Sequence, residues 1–255
     1  MVIGNGKGGI IMKKPKMIIF DYGHTLICEP NTDFHRGQEA LFKYVKSNKN
    51  NLTSKQVSDF SFEIFKEMGV ARDMDLEIHE WQHQRFLYEY LGIELTVSIP
   101  KAEKILWENA SPGECMPNVN IMLDYLYEHN IRSGVISNIS FSGEALAERI
   151  NKLIPMNKFE FIIASSEYMY RKPNKMIYEL ALRKASLKSS EVWFCGDNIK
   201  ADIEGSSSVG IFPVWYENND IDNPWSKQEK GDVPCCEHIH IHNWLELIDI
   251  LKDLE

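Results

Sequence analysis

From Pro117 onward, short apolar runs alternate with stretches whose apolar residues recur at helical spacing. The apolar runs cover residues 132–137, 159–163, 192–195, 211–215 and 238–242. The helical stretches lie near residues 118–129, 143–153, 174–184, 200–208 and 243–254. Strands that alternate with helices in this way indicate a parallel sheet covered by helices on both faces. The sequence therefore predicts an α/β fold with a doubly wound parallel sheet.

Another apolar run, Met17–Phe20, lies far upstream and reads as a buried parallel strand of the same sheet. Between it and Pro117, apolar residues recur at helical spacing, which predicts about four helices with breaks near residues 48–51, 69–75 and 92–100. We therefore expect an α/β core formed by residues 17–29 and 113–255. Residues 30–112, here named the cap segment, are expected to form an inserted helical cap domain, and residues 1–16 a flexible tail.

Charge and composition restrict the partners of the chain. Its 255 residues carry a formal net charge of -9 and show no basic cluster, which argues against a nucleic-acid partner. A small phosphorylated substrate remains compatible with this charge, because a bound metal ion can reverse the local field. The five cysteines are odd in number and scattered, which favours reduced thiols in the cytoplasm. Without an apolar run of signal or membrane length, we expect a soluble protein and no membrane partner. The oligomeric state is left open.

Polar residues follow several of the predicted strands. Ligands of an open parallel sheet bind beyond the carboxyl ends of its strands, so these residues should face one cleft. They are Asp21 after the first strand, Ser137 and Asn138 after the next, Lys172 before a helix, Asp197 after Gly196, and Asp202 five residues further on.

Three converging carboxylates require a positive partner. Asp21, Asp197 and Asp202 would repel each other at close range, and a hard divalent ion with oxygen ligands, most simply magnesium, removes that repulsion. Lys172 adds a fixed positive charge, and Ser137 adds a hydroxyl donor. A carboxylate nucleophile beside a metal suits chemistry that passes through an aspartyl-phosphate.

Four short motifs appear in order along the chain: Phe20-Asp21-x-x-x-Thr25-Leu26, Ile136-Ser137-Asn138, Arg171-Lys172-Pro173 and Gly196-Asp197-Asn198-x-x-x-Asp202. Together they resemble the motifs of the haloacid-dehalogenase-like hydrolase superfamily. The cap segment resembles the cap that this superfamily inserts between its first two motifs. The resemblance covers nearly everything from Met17 onward.

This resemblance implies a role for each matching residue. Asp21 would be the nucleophile, Ser137 and Lys172 would bind the phosphoryl group, and Asp197 would bind magnesium. Asp202 would support the metal site or orient Lys172. We further assign Thr25 and Asn138 to substrate binding, His24 and Lys172 to catalysis with Asp21, and the carbonyl of Gly23 to the metal ligands.

One position departs from the pattern. Phosphatases of this superfamily usually carry a second Asp two residues after the nucleophile as general acid and base, and here that position is Gly23. Histidine side chains ordinarily titrate near neutrality, so His24 is a candidate to replace this acid and base, and the direction of its side chain is left open. A phosphonate-hydrolysing branch and a dehalogenase branch also lack this Asp, but Asp197 with Asp202 favours metal-dependent phosphoryl chemistry over dehalogenation.

The leading prediction is therefore a magnesium-dependent hydrolase of a small phosphorylated or phosphonate-like metabolite. A catalytically weak binding or regulatory protein that kept the pocket is the alternative, and a dehalogenase is a third. The two connections of the cap segment, near residues 28–31 and 110–117, also predict closure of the cap over a substrate.

Near the C-terminus, the sequence contains five residues of types that commonly bind metal ions: Cys235, Cys236, His238, His240 and His242. The alternation with Ile239 and Ile241 places the three histidines on one strand face. We interpret this as the pattern of a half-buried strand, since zinc sites usually show a different spacing.

Overall fold

The computed structural model of the protein describes residues 13–218, 221, 228–229 and 231–254, and its centre is a six-stranded sheet. Two further sheets have two strands each. In chain order the strands are β1 (Met17–Phe20), β2 (Ile27–Cys28), β3 (Val45–Asn48), β4 (Ile93–Leu95), β5 (Glu114–Cys115), β6 (Arg132–Ser137), β7 (Ile162–Ala164), β8 (Val192–Gly196), β9 (Phe212–Tyr216) and β10 (Ile239–Ile241).

The six-stranded sheet has the order β10-β9-β8-β1-β6-β7, and every neighbouring pair in it is parallel. Strand β1 lies in the middle, where Met17 pairs with Arg132 of β6 on one side and with Val192 of β8 on the other. The chain builds one half of the sheet outward from β1 and then returns to build the other half. This reversal opens a crevice at the carboxyl ends of the strands. The predicted doubly wound parallel sheet is confirmed.

Eleven α-helices cover the sheet or form the cap segment within the described part of the chain. They are α1 (Phe34–Phe42), α2 (Ser54–Glu67), α3 (Gly69–Asp73), α4 (Glu80–Leu91), α5 (Ile99–Ala110), α6 (Val119–Glu128), α7 (Gly143–Leu153), α8 (Ser165–Tyr168), α9 (Lys175–Ala185), α10 (Gly205–Ser207) and α11 (Trp244–Lys252). A 3₁₀ turn, Ser189–Glu191, precedes β8, and a wide π-helical turn, Ile199–Glu204, follows it.

Strand β1 is continuously apolar because both of its faces are buried. Ile18 and Phe20 join a core cluster with residues of α6, α7 and α11, while Met17 and Ile19 join a second cluster with residues of α9. Successive side chains of a strand point to opposite faces, so burial on both faces requires helices on both sides of the sheet. Each large apolar side chain buried in this way contributes about 1.5–3 kcal/mol.

Most predicted strands and helices are found within a few residues of their predicted bounds, and two segments differ more. Residues 159–161 reach β6 through single hydrogen bonds, such as Val135 N to Phe161 O at 3.0 Å, and regular pairing begins only at Ile162. The helix expected at 200–208 is a π-helical turn followed by α10, because the Asn198 carbonyl accepts from the amides of both Asp202 and Ile203.

The cap segment holds four longer helices, α1, α2, α4 and α5, as its periodicity predicts. It also holds the antiparallel pair β3–β4 and the five-residue helix α3, which lies within the break predicted at 69–75. The pattern of apolar residues gave no signal for β3, because none of its residues is buried. The division into a cap domain and a core domain remains a prediction.

The two connections of the cap segment pair with each other. Ile27 of β2 lies opposite Cys115 of β5 in an antiparallel pair. The cap segment also contacts the core elsewhere. In the stretch before α4, Leu76 bridges to Tyr170 and the Glu77 amide donates to the Met169 carbonyl at 2.6 Å. Ser142 also donates to Glu103 of α5. Closure of the cap segment about its two connections remains a prediction. A rotation that moved the stretch before α4 away from the core would break the contact with residues 169–170.

Most of the predicted tail, residues 1–12, lies outside the described residues, but Lys16 donates its amide to the Glu191 carbonyl at 2.8 Å and pairs with the Glu191 carboxylate at 2.7 Å. Among the described helices, none combines the length and the apolar character needed to cross a bilayer.

Helices α1 and α5 approach closely at Gly37. An added Cβ there would lie 2.6 Å from the Leu106 carbonyl oxygen and 2.7 Å from the Ala110 side chain. We expect Gly37→Ala to lower the free energy of unfolding by about 1–3 kcal/mol, measured by urea unfolding. Gly69→Ala is the matched control, because none of the described residues outside its own helix and chain neighbours lies within 4 Å of its added Cβ. The control should be neutral or stabilising by up to about 1 kcal/mol, and equal midpoints for the two variants would contradict this packing account.

Candidate active site

Three carboxylates and one ammonium group meet at the carboxyl edge of the sheet. One oxygen each from Asp21, Asp197 and Asp202 lies within 4.8 Å of the others. The Lys172 Nζ donates to Asp21 Oδ1 at 2.5 Å and to Asp202 Oδ1 at 2.6 Å. Asp21, Asp202 and Lys172 are all buried. The strands thus bring together four residues that are far apart in the sequence.

Backbone contacts hold the carboxylates in place. The Asp21 amide donates to the Cys195 carbonyl at 2.8 Å, which ties the end of β1 to the end of β8. The Asp202 carboxylate accepts from the Asn198 amide at 2.9 Å, and the wide turn after β8 returns it toward the strand end. Gly196 is required there, because an added Cβ would overlap the Asp202 carboxylate.

Lys172 is positioned by Asn138. The Asn138 side-chain amide donates to the Lys172 carbonyl at 2.8 Å, and its oxygen accepts from the Lys172 amide at 2.7 Å. This two-point contact connects the end of β6 to the loop that carries the lysine. Asn138, which we expected to bind substrate, therefore already uses its amide group to hold Lys172.

Burial sets the protonation of the cluster. It raises the pKa of Asp197 well above the usual range, and the charges of Asp21 and Asp202 raise it further. It also raises the pKa of Asp202 to about 6, although the Lys172 charge opposes this shift. For Lys172 burial lowers the pKa, but the charges of Asp202 and Asp21 outweigh burial and raise it above its ordinary value. The cluster thus holds three carboxylates, and the Lys172 ammonium contacts two of them, so the cluster favours an added positive charge.

The remaining predicted residues lie around this cluster. Ser137 is the buried last residue of β6, and Gly23 makes an isolated bridge with Ile27. His24 is buried and has a left-handed backbone, with φ at 54°. Thr25 is fully buried, and its carbonyl accepts from the Trp244 indole at 3.2 Å, which places it against helix α11.

Sequence reasoning assigned no role to a second buried charge cluster beside Lys172. The buried Glu77 carboxylate of the cap segment contacts Arg72 at 3.2 Å, Arg171 at 3.1 Å and Ser165 at 3.0 Å. Arg171 directly precedes Lys172, so this cluster joins the cap segment to the lysine loop. No sequence signal indicates it, because a lone glutamate on a polar segment resembles a solvated surface residue.

The donor set of the carboxylate cluster fits magnesium. Carboxylate oxygens are the ligands that hard divalent cations prefer. Three converging carboxylates carry more negative charge than Lys172 neutralises, and the raised pKa values of Asp197 and Asp202 show the cost of ionising these two groups without a further cation. Asp21, Asp197 and Asp202 are thus residues that could hold such an ion.

Comparisons with known proteins identify the family. Residues 18–215 match the haloacid dehalogenase-like hydrolases. A pyrimidine 5′-nucleotidase of Streptococcus pneumoniae is 23% identical over 246 residues, which cover 92% of this chain and 94% of that protein. A glyceraldehyde 3-phosphate phosphatase of Methanopyrus kandleri is 21% identical over 244 residues, covering 94% and 98%.

Solved structures agree on the fold. A phosphatase of the same superfamily from Thermococcus onnurineus has a TM-score of 0.59 at 16% identity, covering 92% of this chain and 97% of that one. A 2-haloacid dehalogenase from Pseudomonas syringae has a TM-score of 0.60 at 19% identity, covering 94% and 100%.

The carboxylate cluster at the carboxyl edge of a parallel α/β sheet is the kind of site that a metal-dependent hydrolase requires. The match of residues 18–215 assigns the chain to one family of such proteins. The chain belongs to the haloacid dehalogenase-like hydrolases. The predicted resemblance and the prediction of a hydrolase are both confirmed.

Asp202 should give the metal-free protein a distinct pH dependence. Its pKa is about 6 in the folded chain against an ordinary value of 3.8, so the folded chain holds an extra proton between these values. With a chelator present, the free energy of unfolding should therefore fall as the pH rises from about 4 to about 6. Asp202→Asn should show a smaller fall in urea unfolding at the same pH values. If the two proteins show the same pH dependence, the buried Asp202 carboxyl does not titrate as described.

Proposed function

We propose that the protein is a magnesium-dependent phosphatase that hydrolyses a small phosphorylated metabolite through an aspartyl-phosphate on Asp21. The observation that carries this proposal is the contact of Lys172 with both Asp21 and Asp202, beside the Asp197 carboxylate. The names of the curated relatives, a pyrimidine nucleotidase and several sugar- or triose-phosphate phosphatases, support it further. A cytoplasmic location and the absence of nucleic-acid and membrane partners belong to the same proposal.

Magnesium would be held by the carboxylates of Asp21 and Asp197 and the carbonyl of Gly23, with support from Asp202. When bound, it supplies positive charge that neutralises the carboxylates and the incoming phosphoryl oxygens. A phosphonate-like substrate would meet the same charge arrangement.

Side chains of the protein carry out the nucleophilic attack and bind the phosphoryl group. Lys172 orients the Asp21 carboxylate through Oδ1, and one oxygen of this carboxylate acts as the nucleophile. That oxygen forms a bond to phosphorus as the bond from phosphorus to the leaving oxygen breaks. Water then attacks the phosphorus of the aspartyl-phosphate and releases inorganic phosphate and the Asp21 carboxylate. Lys172 and the Ser137 hydroxyl would bind the phosphoryl oxygens and stabilise the charge that develops there.

The leaving oxygen needs a proton, and Gly23 cannot supply one. His24 is the nearest candidate in the sequence and is buried at the start of the same loop. Its left-handed backbone is uncommon for a residue with a side chain and marks a position held by its surroundings. The glycine at position 23 is also the observation that favours the second candidate function, a binding or regulatory protein with weak catalysis.

The nucleophile and the metal ligand can be tested together. We expect Asp21→Asn to lower magnesium-dependent turnover of an aryl phosphate by about 10⁴-fold or more, because no carboxylate remains to attack. Asp197→Asn should abolish magnesium binding in calorimetry. Asp249→Asn, on the exposed face of α11, is the control and should match the parent. Parent turnover no higher with magnesium than without it would favour the binding protein, and full activity in Asp21→Asn would exclude the aspartyl-phosphate.

Gly23 can accept the missing acid. In the described part of the chain, no residue beyond its chain neighbours comes within 4 Å of a Cβ added there, and its φ lies outside the left-handed region, so Gly23→Asp should fold. A positioned general acid and base contributes about 10²–10⁴-fold, and the variant should gain much of that factor on aryl phosphates. Gly23→Asn has the same shape without the titrating proton and should not gain.

The role of His24 follows from the same assay. If His24 already acts as the acid, Gly23→Asp should help little and His24→Ala should remove most of the activity. If every variant matches the parent on all substrates, this account of proton transfer is wrong.

A further inference from the structure

A second group of metal-binding side chains lies where strands β9 and β10 end. Glu217 directly follows β9, His240 is the middle residue of β10, and His242 directly follows β10. One potential ligand atom from each of the three lies within 4.8 Å of the others. The strands explain this convergence, because Ile241 of β10 pairs with Tyr216 of β9 in a parallel register. Glu217 therefore reaches the same level as His240 and His242.

The distances within this group suit a single ion. His240 Nε2 lies 3.0 Å from Glu217 Oε2, and His242 Nδ1 lies 3.8 Å from the same oxygen. Ligand atoms that share one tetrahedral zinc ion lie about 3.3 Å apart, since each is about 2.0–2.2 Å from the metal. His242 lies further from this oxygen than His240 does, and its side chain is 53% exposed. Its Nδ1 now contacts the Glu217 carbonyl at 2.8 Å, and metal binding would replace that contact.

The pattern of a half-buried strand does not account for the whole arrangement. That pattern predicts three histidines on one face of a strand at 238–242, but only two of them join the group with Glu217. His238 instead contacts the Cys236 carbonyl through Nδ1 at 2.8 Å. The ring of His240 is stacked on Trp215, with centroids 4.0 Å apart and planes at 13°, which orients one ligand in advance.

We propose that Glu217, His240 and His242 bind one divalent transition-metal ion, with zinc as the representative ion. Two imidazoles with one carboxylate suit zinc, nickel or copper, whereas magnesium and calcium prefer sites made of oxygen ligands alone. Three protein ligands leave at least one coordination position for water. This site differs from the carboxylate cluster in both its residues and its donor type, and it does not depend on the proposed phosphatase activity.

The ion would tie the edge of the sheet together. Strand β10 has only three residues, and among the described strands it pairs with β9 alone. An ion shared by Glu217 and His240 would close the long chain segment between β9 and β10. A ligand that binds only the folded chain stabilises it by mass action, so zinc should raise the unfolding temperature.

Calorimetric titration of the full chain with zinc chloride tests the proposal, with magnesium in large excess to occupy the carboxylate cluster. We expect one zinc ion per chain in the parent. His240→Ala and His242→Ala should each weaken zinc binding by at least about tenfold and abolish the zinc-dependent rise in unfolding temperature. His242→Ala keeps the test valid if His240→Ala fails to fold, because His242 is exposed and does not stack on Trp215.

Three matched variants separate this site from other zinc-binding groups. His238→Ala removes a histidine from the same strand face, Asp197→Asn alters the carboxylate cluster, and Cys235→Ser removes the exposed thiol. All three should bind zinc as the parent does. Unchanged zinc affinity in His242→Ala, or loss of zinc binding in any of these three variants, would overturn the proposal.

Discussion

The structure depends on one buried contact, the ammonium group of Lys172 between the carboxylates of Asp21 and Asp202. A charge moved out of water costs several kcal/mol, and the loss of one partner of such a contact typically destabilises by about 3–5 kcal/mol. Strand β1, the loop before α9 and the turn after β8 must therefore meet at one point. The two-point contact of Asn138 with Lys172 and the amide of Asn198 on Asp202 keep these three segments in register.

The same contact leaves a deficit of positive charge. Asp197 joins the two carboxylates that Lys172 bridges, and burial raises its pKa well above the usual range. A cluster that is expensive to ionise without a cation is well suited to chemistry in which a cation and a phosphoryl group arrive together. The cost of folding this cluster and its capacity to bind a metal and an anion thus have a single electrostatic origin.

Much of the fold and part of the site could be predicted from local pattern. Continuous apolar runs such as Met17–Phe20 identify strands buried on both faces, and the polar residues that follow them identify the edge where Asp21 and Asp197 lie. The pair β3–β4 could not be predicted, because none of the β3 residues is buried and Ile93 is the one buried residue of β4. The Glu77 cluster could not be predicted either, because its partners come from distant segments and Glu77 becomes buried only when these segments pack together.

The sequence by itself determined the α/β alternation, the family and the residue types at each strand end, because strand and helix periodicity and short motifs are local properties of the chain. Only the tertiary structure decided which groups touch. In the tertiary structure, Asn138 hydrogen-bonds to Lys172, and Glu77 joins the cap segment to the lysine loop. His240 and His242 lie together with Glu217, whereas His238 lies apart from them. The physical reason is that hydrogen bonds, ion pairs and metal ligation require contact distances of a few ångströms. Those distances depend on strand register and packing, which no local pattern of residues specifies.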